Sequence, residues 1–229
     1  TYNLTVVDDT PPVAICQNIT VELDASGNGS LTASDADGGS TDNCGIGSTM
    51  ATPLTFTCTD IGPNTGLLTV TDVNGNTSSC GFGITVQDNI APTAVCQNIT
   101  VQLDPTGSAS ITATDVDGGS TDNCGLAGIS VSPSTFNCSN IGGNTVTLTV
   151  TDVNGNTSSC TATVTVEDNE APTAVCQDLT VQLDGSGSAS ITVNQINNGS
   201  SDNCIIAAMS VSPSSLDCSN LGANSVTLT

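Results

Sequence analysis

The stretch TVTDVNGNTSSC, residues 69–80, returns letter for letter as residues 149–160. An identity of that length at a spacing of 80 marks a tandem repeat, and other landmarks keep the register. DGGSTDNCG at 37–45 recurs at 117–125, and PPVAICQ at 11–17 becomes APTAVCQ at 91–97 and 171–177. Cysteines stand at 16, 44, 58 and 80, then 96, 124, 138 and 160, then 176, 204 and 218. The opening TYNLTVVDD aligns with GFGITVQDN at 81–89 and TATVTVEDN at 161–169. Residues 1–9 are thus expected to be the last strand of a preceding repeat. Repeats one and two cover 10–89 and 90–169, and a truncated third covers 170–229. The sequence reads as a window on a longer array.

Within each period, Thr, Val and Ile alternate in segments such as CQNITVQLD, NTVTLTVTDV and TATVTVED, broken by Gly, Pro, Asn and Ser clusters. No stretch sustains helical periodicity. DVNGNT reads as an Asn-Gly hairpin turn between two strands. Strands about every ten residues argue for an all-β fold: tandem immunoglobulin-like antiparallel β-sandwich repeats of about 80 residues. The linkers DNIAP and DNEAP are short and stiffened by proline, which predicts an extended rod.

Composition narrows the chemistry. The 229 residues contain no Lys, Arg or His against 22 acidic residues, a formal charge of −22. Without His no imidazole activates a Ser or Cys nucleophile, and without Lys no Schiff base forms. Nothing in the chain can clamp phosphate, and its field repels nucleic acid and anionic lipid. No apolar run reaches the roughly 20 residues of a membrane span. Aromatics are confined to Tyr2, Phe56, Phe82 and Phe136, so the core is small and aliphatic. The carboxylates have no side-chain cation to pair with. They must be solvated, bonded by N–H groups, or neutralised by bound cations.

Four cysteines per repeat without C-x-x-C spacing or His argue against zinc and for disulfides, hence an oxidising, extracytoplasmic place. Four cysteines allow three pairings. Cys16 opens the first strand and Cys80 the last, and these strands neighbour each other in immunoglobulin-like sandwiches. Cys44 and Cys58 flank an excursion that could return as a hairpin. The favoured pairing is Cys16–Cys80 with Cys44–Cys58, repeated as Cys96–Cys160 with Cys124–Cys138, and Cys204 with Cys218.

PPVAICQNITV, TDNCG and TDVNGNTSSC, in this order and spacing, resemble the bacterial HYR-like, immunoglobulin-like repeat. The resemblance covers essentially the whole chain. It implies a first-to-last bridge, Cys16–Cys80 and Cys96–Cys160. It also implies kinship with the giant surface adhesins of gliding Bacteroidetes. The third repeat departs from the pattern, with NQINNGSSDNC where TDVDGGSTDNC stands in the second.

Two sets of oxygen donors are candidate Ca2+ ligands, since calcium takes six to eight oxygens from Asp, Asn and carbonyl groups. One is the DxDGGSTDN loop: Asp35, Asp37 and Asp42, repeated as Asp115, Asp117 and Asp122. The other combines the DVNGN loop with the linker: Asp72, Asn74, Asn76, Asp88 and Asn89, repeated as Asp152, Asn154, Asn156, Asp168 and Asn169. The bland reading of each is a capped, solvated turn. In the third repeat Gln195 and Asn197 replace two of the loop aspartates, so a site there would be weak.

The expected role is structural and adhesive: a non-catalytic segment of a long extracellular cell-surface filament, rigidified by disulfides and calcium, in surface attachment or gliding motility. Its expected partners are neighbouring repeats of the same chain and, through a distant tip, surface polysaccharide or other cells. A polysaccharide-binding module and a spacer of a secreted enzyme are the alternatives. The absence of Trp, the usual sugar platform, weighs against the former.

Overall fold

A computed structural model describes residues 1–229 and is all-β with short single-turn helices. In the first repeat, alternating Thr/Val/Ile segments form β1 (Ile19–Glu22), β2 (Asn28–Ser30), β3 (Ile46–Thr52), β4 (Thr55–Thr57), β5 (Gly62–Asp72) and β6 (Thr77–Gln87). The second repeats them as β7 (Ile99–Gln102), β8 (Ser108–Ser110), β9 (Leu126–Ser132), β10 (Thr135–Asn137), β11 (Gly142–Asp152) and β12 (Thr157–Glu167). The third carries β13 (Ser188–Ser190), β14 (Val211–Ser212), β15 (Ser215–Asp217) and β16 (Thr227–Leu228). Residues 1–9 make no strand pairing within residues 1–229. Their counterpart β6 gains its pairing by lying between β1 and β5.

The chain packs as two compact units that do not follow the repeat boundaries: residues 1–95, 118–130 and 149–160 form one, and 96–117, 131–148 and 161–229 the other. In the first unit a four-stranded sheet, ordered β1-β6-β5-β3, faces the two-stranded sheet β2-β4. All pairings there are antiparallel except β1 with β6, which run parallel with Ile19 opposite Ile84 and Val21 opposite Val86. That parallel neighbour brings the segment before β1 alongside β6, and Cys16 bonds Cys80 there. Leu68 and Val70 of β5, Ile84 and Val86 of β6, Val21, Ala51 and Phe56 fill the core between the sheets. In the second repeat the large sheet runs β7-β12-β11-β9 and the small one β10-β8. The second unit also holds the pairs β13-β15 and β14-β16.

Single-turn helices interrupt the strands, a detail that strand periodicity hides. Helix α1 (Ala33–Ala36) opens with a capping box in which Asp35 accepts from both the N–H and the hydroxyl of Thr32, each at 2.7 Å. α2 (Ala113–Val116) and α3 (Val193–Ile196) repeat it, with Asp115 and Gln195 in the same role. The β5–β6 loop also differs from a two-residue Asn-Gly turn. Only Gly75, at φ 98°, enters the left-handed region, and Asp72 N–H donates to Asn76 O at 3.0 Å. Residues 73–75 thus form a three-residue loop with one left-handed glycine, the next commonest hairpin form.

One core exchange explains a difference between repeats. Gly66 lies opposite Phe82, and a Cβ on it would sit 2.4 Å from the ring. At the equivalent positions the second repeat has Val146 and Ala162, both buried. Bulk has moved from one strand to its neighbour. Gly66→Val alone should therefore destabilise the first unit by roughly 1–3 kcal/mol through overpacking. Adding Phe82→Ala should return much of that loss, as read by denaturant unfolding; strict additivity of the two changes would contradict this packing.

Candidate cation site and covalent joint between repeats

The second class of bridge overturns part of the expected pairing. Cys58 bonds Cys124 and Cys138 bonds Cys204, each joining one repeat to the next across 66 residues of sequence. Cys96 and Cys160 are both disulfide-bonded, as the first-to-last reading requires. Cys44, Cys176 and Cys218 have no disulfide partner within residues 1–229. The expected bridges Cys44–Cys58, Cys124–Cys138 and Cys204–Cys218 do not form. The reason lies in β3 and β4. β3 carries the chain seven residues away from Cys44, roughly 23 Å at strand rise. β4 then joins the opposite sheet, pairing with β2. No hairpin returns Cys58 to Cys44.

The Cys58–Cys124 joint lies wholly inside the first compact unit. Gly27 permits it: its φ is +74°, and a Cβ there would lie 2.6 Å from Cys58 Sγ and 3.0 Å from Asn123 O. Gly107 does the same in the second unit, with Cys138 Sγ and Asn203 O as near neighbours. Around the first bridge, Asn123 Nδ2 donates to Asp24 O at 3.2 Å and to Asp88 Oδ1 at 3.1 Å. Asn156 Nδ2 donates to Asp88 O at 3.0 Å.

These contacts gather three aspartates. Asp88 follows β6, Asp122 sits in the TDNC turn before β9, and Asp152 ends β11. One carboxylate oxygen from each lies within 4.8 Å of the other two. Asp88 and Asp152 are 5% and 1% exposed. Asp152 is held by Asn154 N–H at 2.9 Å, Asn156 N–H at 2.7 Å and Asn156 Nδ2 at 2.7 Å. Asp122 Oδ2 accepts from the N–H groups of Cys124 and Gly125 at 2.8 and 3.0 Å. Asp88 Oδ1 accepts from Ile90 N–H and from Asn123. Asp88 Oδ2 and Asp122 Oδ1 are buried with no donor.

Eighty residues earlier, Asp8, Asp42 and Asp72 form the same cluster, with Asp8 Oδ2 and Asp42 Oδ1 buried and unpartnered. The structure thus takes one aspartate from each expected ligand set and adds the linker aspartate of the preceding repeat. Asp8 was missed, although its register equivalence to Asp88 could have found it. Asn123 was missed too; it carries no signal beyond its place in the TDNC turn.

The other candidates are engaged elsewhere. Asp35 and Asp115 cap α1 and α2. Asp37 accepts from Gly39 N–H and from the N–H and hydroxyl of Ser40. Asp117 ends α2 and gives its N–H to Ala113 O at 3.1 Å. Asn76 and Asn156 present N–H groups, not oxygens, to Asp72 and Asp152. Asn74 and Asn154 contribute backbone N–H groups to the same two carboxylates. Asn89 donates to Glu22 Oε1 at 3.4 Å and Asn169 to Gln102 Oε1 at 2.7 Å. Asp168 accepts from Glu170 N–H.

Burial would raise the carboxyls of Asp72 and Asp152, but the side-chain and backbone donors of Asn76 and Asn156 outweigh it and hold both below the ordinary aspartate value. The Cys44 thiol is pushed up, first by its hydrogen bond to Asp8, then by burial and by the charges of Asp8, Asp42 and Asp72.

The chain matches no family model and no curated protein. Among solved structures it is similar to Drosophila N-cadherin EC1-4, at 12% identity and TM-score 0.39 over 69% of this chain and 50% of that one. It is also similar to the protocadherin GammaB4 extracellular domain, at 14% identity and TM-score 0.35 over 75% of this chain and 35% of that one. The fibronectin(III)-like modules of Clostridium thermocellum CbhA align at 12% identity and TM-score 0.26, covering 70% and 93% of the respective chains.

Two measurements check this geometry. Applied to residues 1–229 alone under non-reducing conditions, iodoacetamide should label Cys44, Cys176 and Cys218 and no other cysteine, with Cys44 reacting faster as pH rises. Reactivity of Cys58 or Cys124 would contradict the pairing. In cation-free buffer the depressed carboxyls of Asp72 and Asp152 contribute stability that is complete above the ordinary aspartate value of 3.8. It is lost as pH falls below that value through their folded values. Asn156→Ala should cost roughly 1–3 kcal/mol at neutral pH and flatten this acid dependence; an unchanged profile would show that Asn156 does not hold Asp152.

Proposed function

We propose that residues 1–229 form a structural and adhesive segment of a long extracellular array on a cell surface, serving surface attachment or gliding motility, with Ca2+ at its joints. The observation that carries this reading is the Cys58–Cys124 bridge. A disulfide between successive repeats gives a joint that withstands tension without relying on buried area. That suits an element whose task is to transmit load. Disulfides at this density persist in oxidising compartments, which supports an extracellular place. With no His, Lys or Arg to activate a nucleophile, this segment is non-catalytic in our reading. Any ligand is engaged by neighbouring parts of the array or by its surface-distal end.

Antibody raised against residues 1–229 should stain intact, unpermeabilised cells of the source organism, and its Fab should reduce their attachment to a surface several-fold. Staining only after permeabilisation would overturn the reading. So would surface staining with attachment and movement both unchanged by the Fab.

A further inference from the structure

Two of the three side chains at the first joint, Asp88 and Asp152, are more than nine-tenths buried, and Asp88, a member of the cluster, keeps its Oδ2 buried with no donor at all. Asp122 Oδ1 is buried and unpartnered in the same way. Buried carboxylate oxygens without donors are rare because the desolvation cost is not returned. Here the cost is compounded by like charge: three carboxylates share a space 4.8 Å across. The usual remedy, a Lys or Arg, is absent from the whole chain. A water could donate to two of the oxygens but would leave three negative charges uncompensated.

We propose that Asp88, Asp122 and Asp152 hold one divalent cation, Ca2+, between the first and second repeats, and that Asp8, Asp42 and Asp72 hold another in the same way. This rests on the reading of the chain as a jointed extracellular array, where calcium modules work at roughly 10⁻⁴–10⁻³ M. The donor set selects the ion. All the converging atoms are carboxylate oxygens and no imidazole exists in the chain, which favours a hard cation over zinc or copper. Asn123, whose amide nitrogen already donates to Asp88, has its own Oδ1 buried and unpartnered, a neutral oxygen of the kind Ca2+ accepts. The remaining positions are left for water. The ligands come from both sides of the joint: Asp88 from the end of one repeat, Asp122 and Asp152 from the next. A bound ion therefore ties the same two repeats that Cys58–Cys124 ties covalently. The bridge positions one ligand, because Asp122 accepts from the N–H of the bridged Cys124 itself.

The test is calorimetric titration of the metal-free, oxidised chain with CaCl2. Two equivalents should bind, and Mg2+ should bind at least tenfold more weakly. Asp88→Asn keeps an oxygen for Ile90 and Asn123 but removes the charge; it should abolish one equivalent and leave the other. Asp8→Asn should abolish the complementary one, and Asp178→Asn, outside both clusters, should keep both. If Asp88→Asn fails to fold, Asp122→Asn serves, because it retains an acceptor for Cys124 and Gly125. Two equivalents surviving in the Asp8→Asn/Asp88→Asn double variant would overturn the assignment. So would no binding by a chain whose free-thiol count shows the bridges intact. Neither result bears on surface staining, so failure of the cation site and failure of the array reading are separable.

Discussion

The bridge from Cys58 to Cys124 is the constraint from which the rest of the joint follows. It fixes the TDNC turn of the second repeat against the end of β4 in the first. That placement sets Asn123 over the Asp24 carbonyl and Asp88, and brings Asp122 to Asp88 and Asp152. On the chain-entropy account, closing a loop of this length contributes roughly 4 kcal/mol. A chain of 229 residues with only three phenylalanines and one tyrosine has few other sources of that size. The bridges also interleave. Cys58 lies between Cys16 and Cys80, and Cys138 bonds forward to Cys204, so the first and second repeats are each held both within themselves and to the repeat that follows.

A second constraint is the missing side-chain cation. Every carboxylate must find N–H donors, water or a metal. Most find donors through short local motifs: Asp35 and Asp115 in capping boxes, Asp37 on Ser40, Asp72 and Asp152 in the β5–β6 and β11–β12 loops. Only at the joints do buried carboxylate oxygens lack donors, and there they face one another. Asp35, Asp37 and Asp115 are satisfied wholly within their own turns, whereas each cluster joins one fully donor-bonded aspartate, Asp72 or Asp152, to two that each keep a buried oxygen without a donor.

Much of the fold was legible in the sequence, because strict periodicity and Thr/Val alternation both survive translation into strands. Cys16–Cys80 was legible for the same reason: first and last strands are neighbours in such sandwiches. The partner of Cys58 was not. In a strictly periodic chain Cys44 and Cys124 have the same local context, so no motif says whether Cys58 bonds within its repeat or across the joint. Only the direction of β3 and the switch of β4 to the other sheet decide it. The cation cluster was half legible. Asp42, Asp72 and Asp88 were each singled out, but grouped by closeness in sequence. In three dimensions the linker aspartate meets the two loop aspartates of the following repeat, 34 and 64 residues on.

Cutting the chain between its first two repeats tests the covalent joint most directly. A protease site inserted between Ile90 and Ala91 lies after Cys80 and before Cys96, so only a bridge that crosses the linker can hold the halves together. The account predicts that the cleaved, unreduced protein migrates as one species on a denaturing gel and separates into two only after reduction. Separation without reductant would mean that the repeats are bridged only within themselves, and would contradict it.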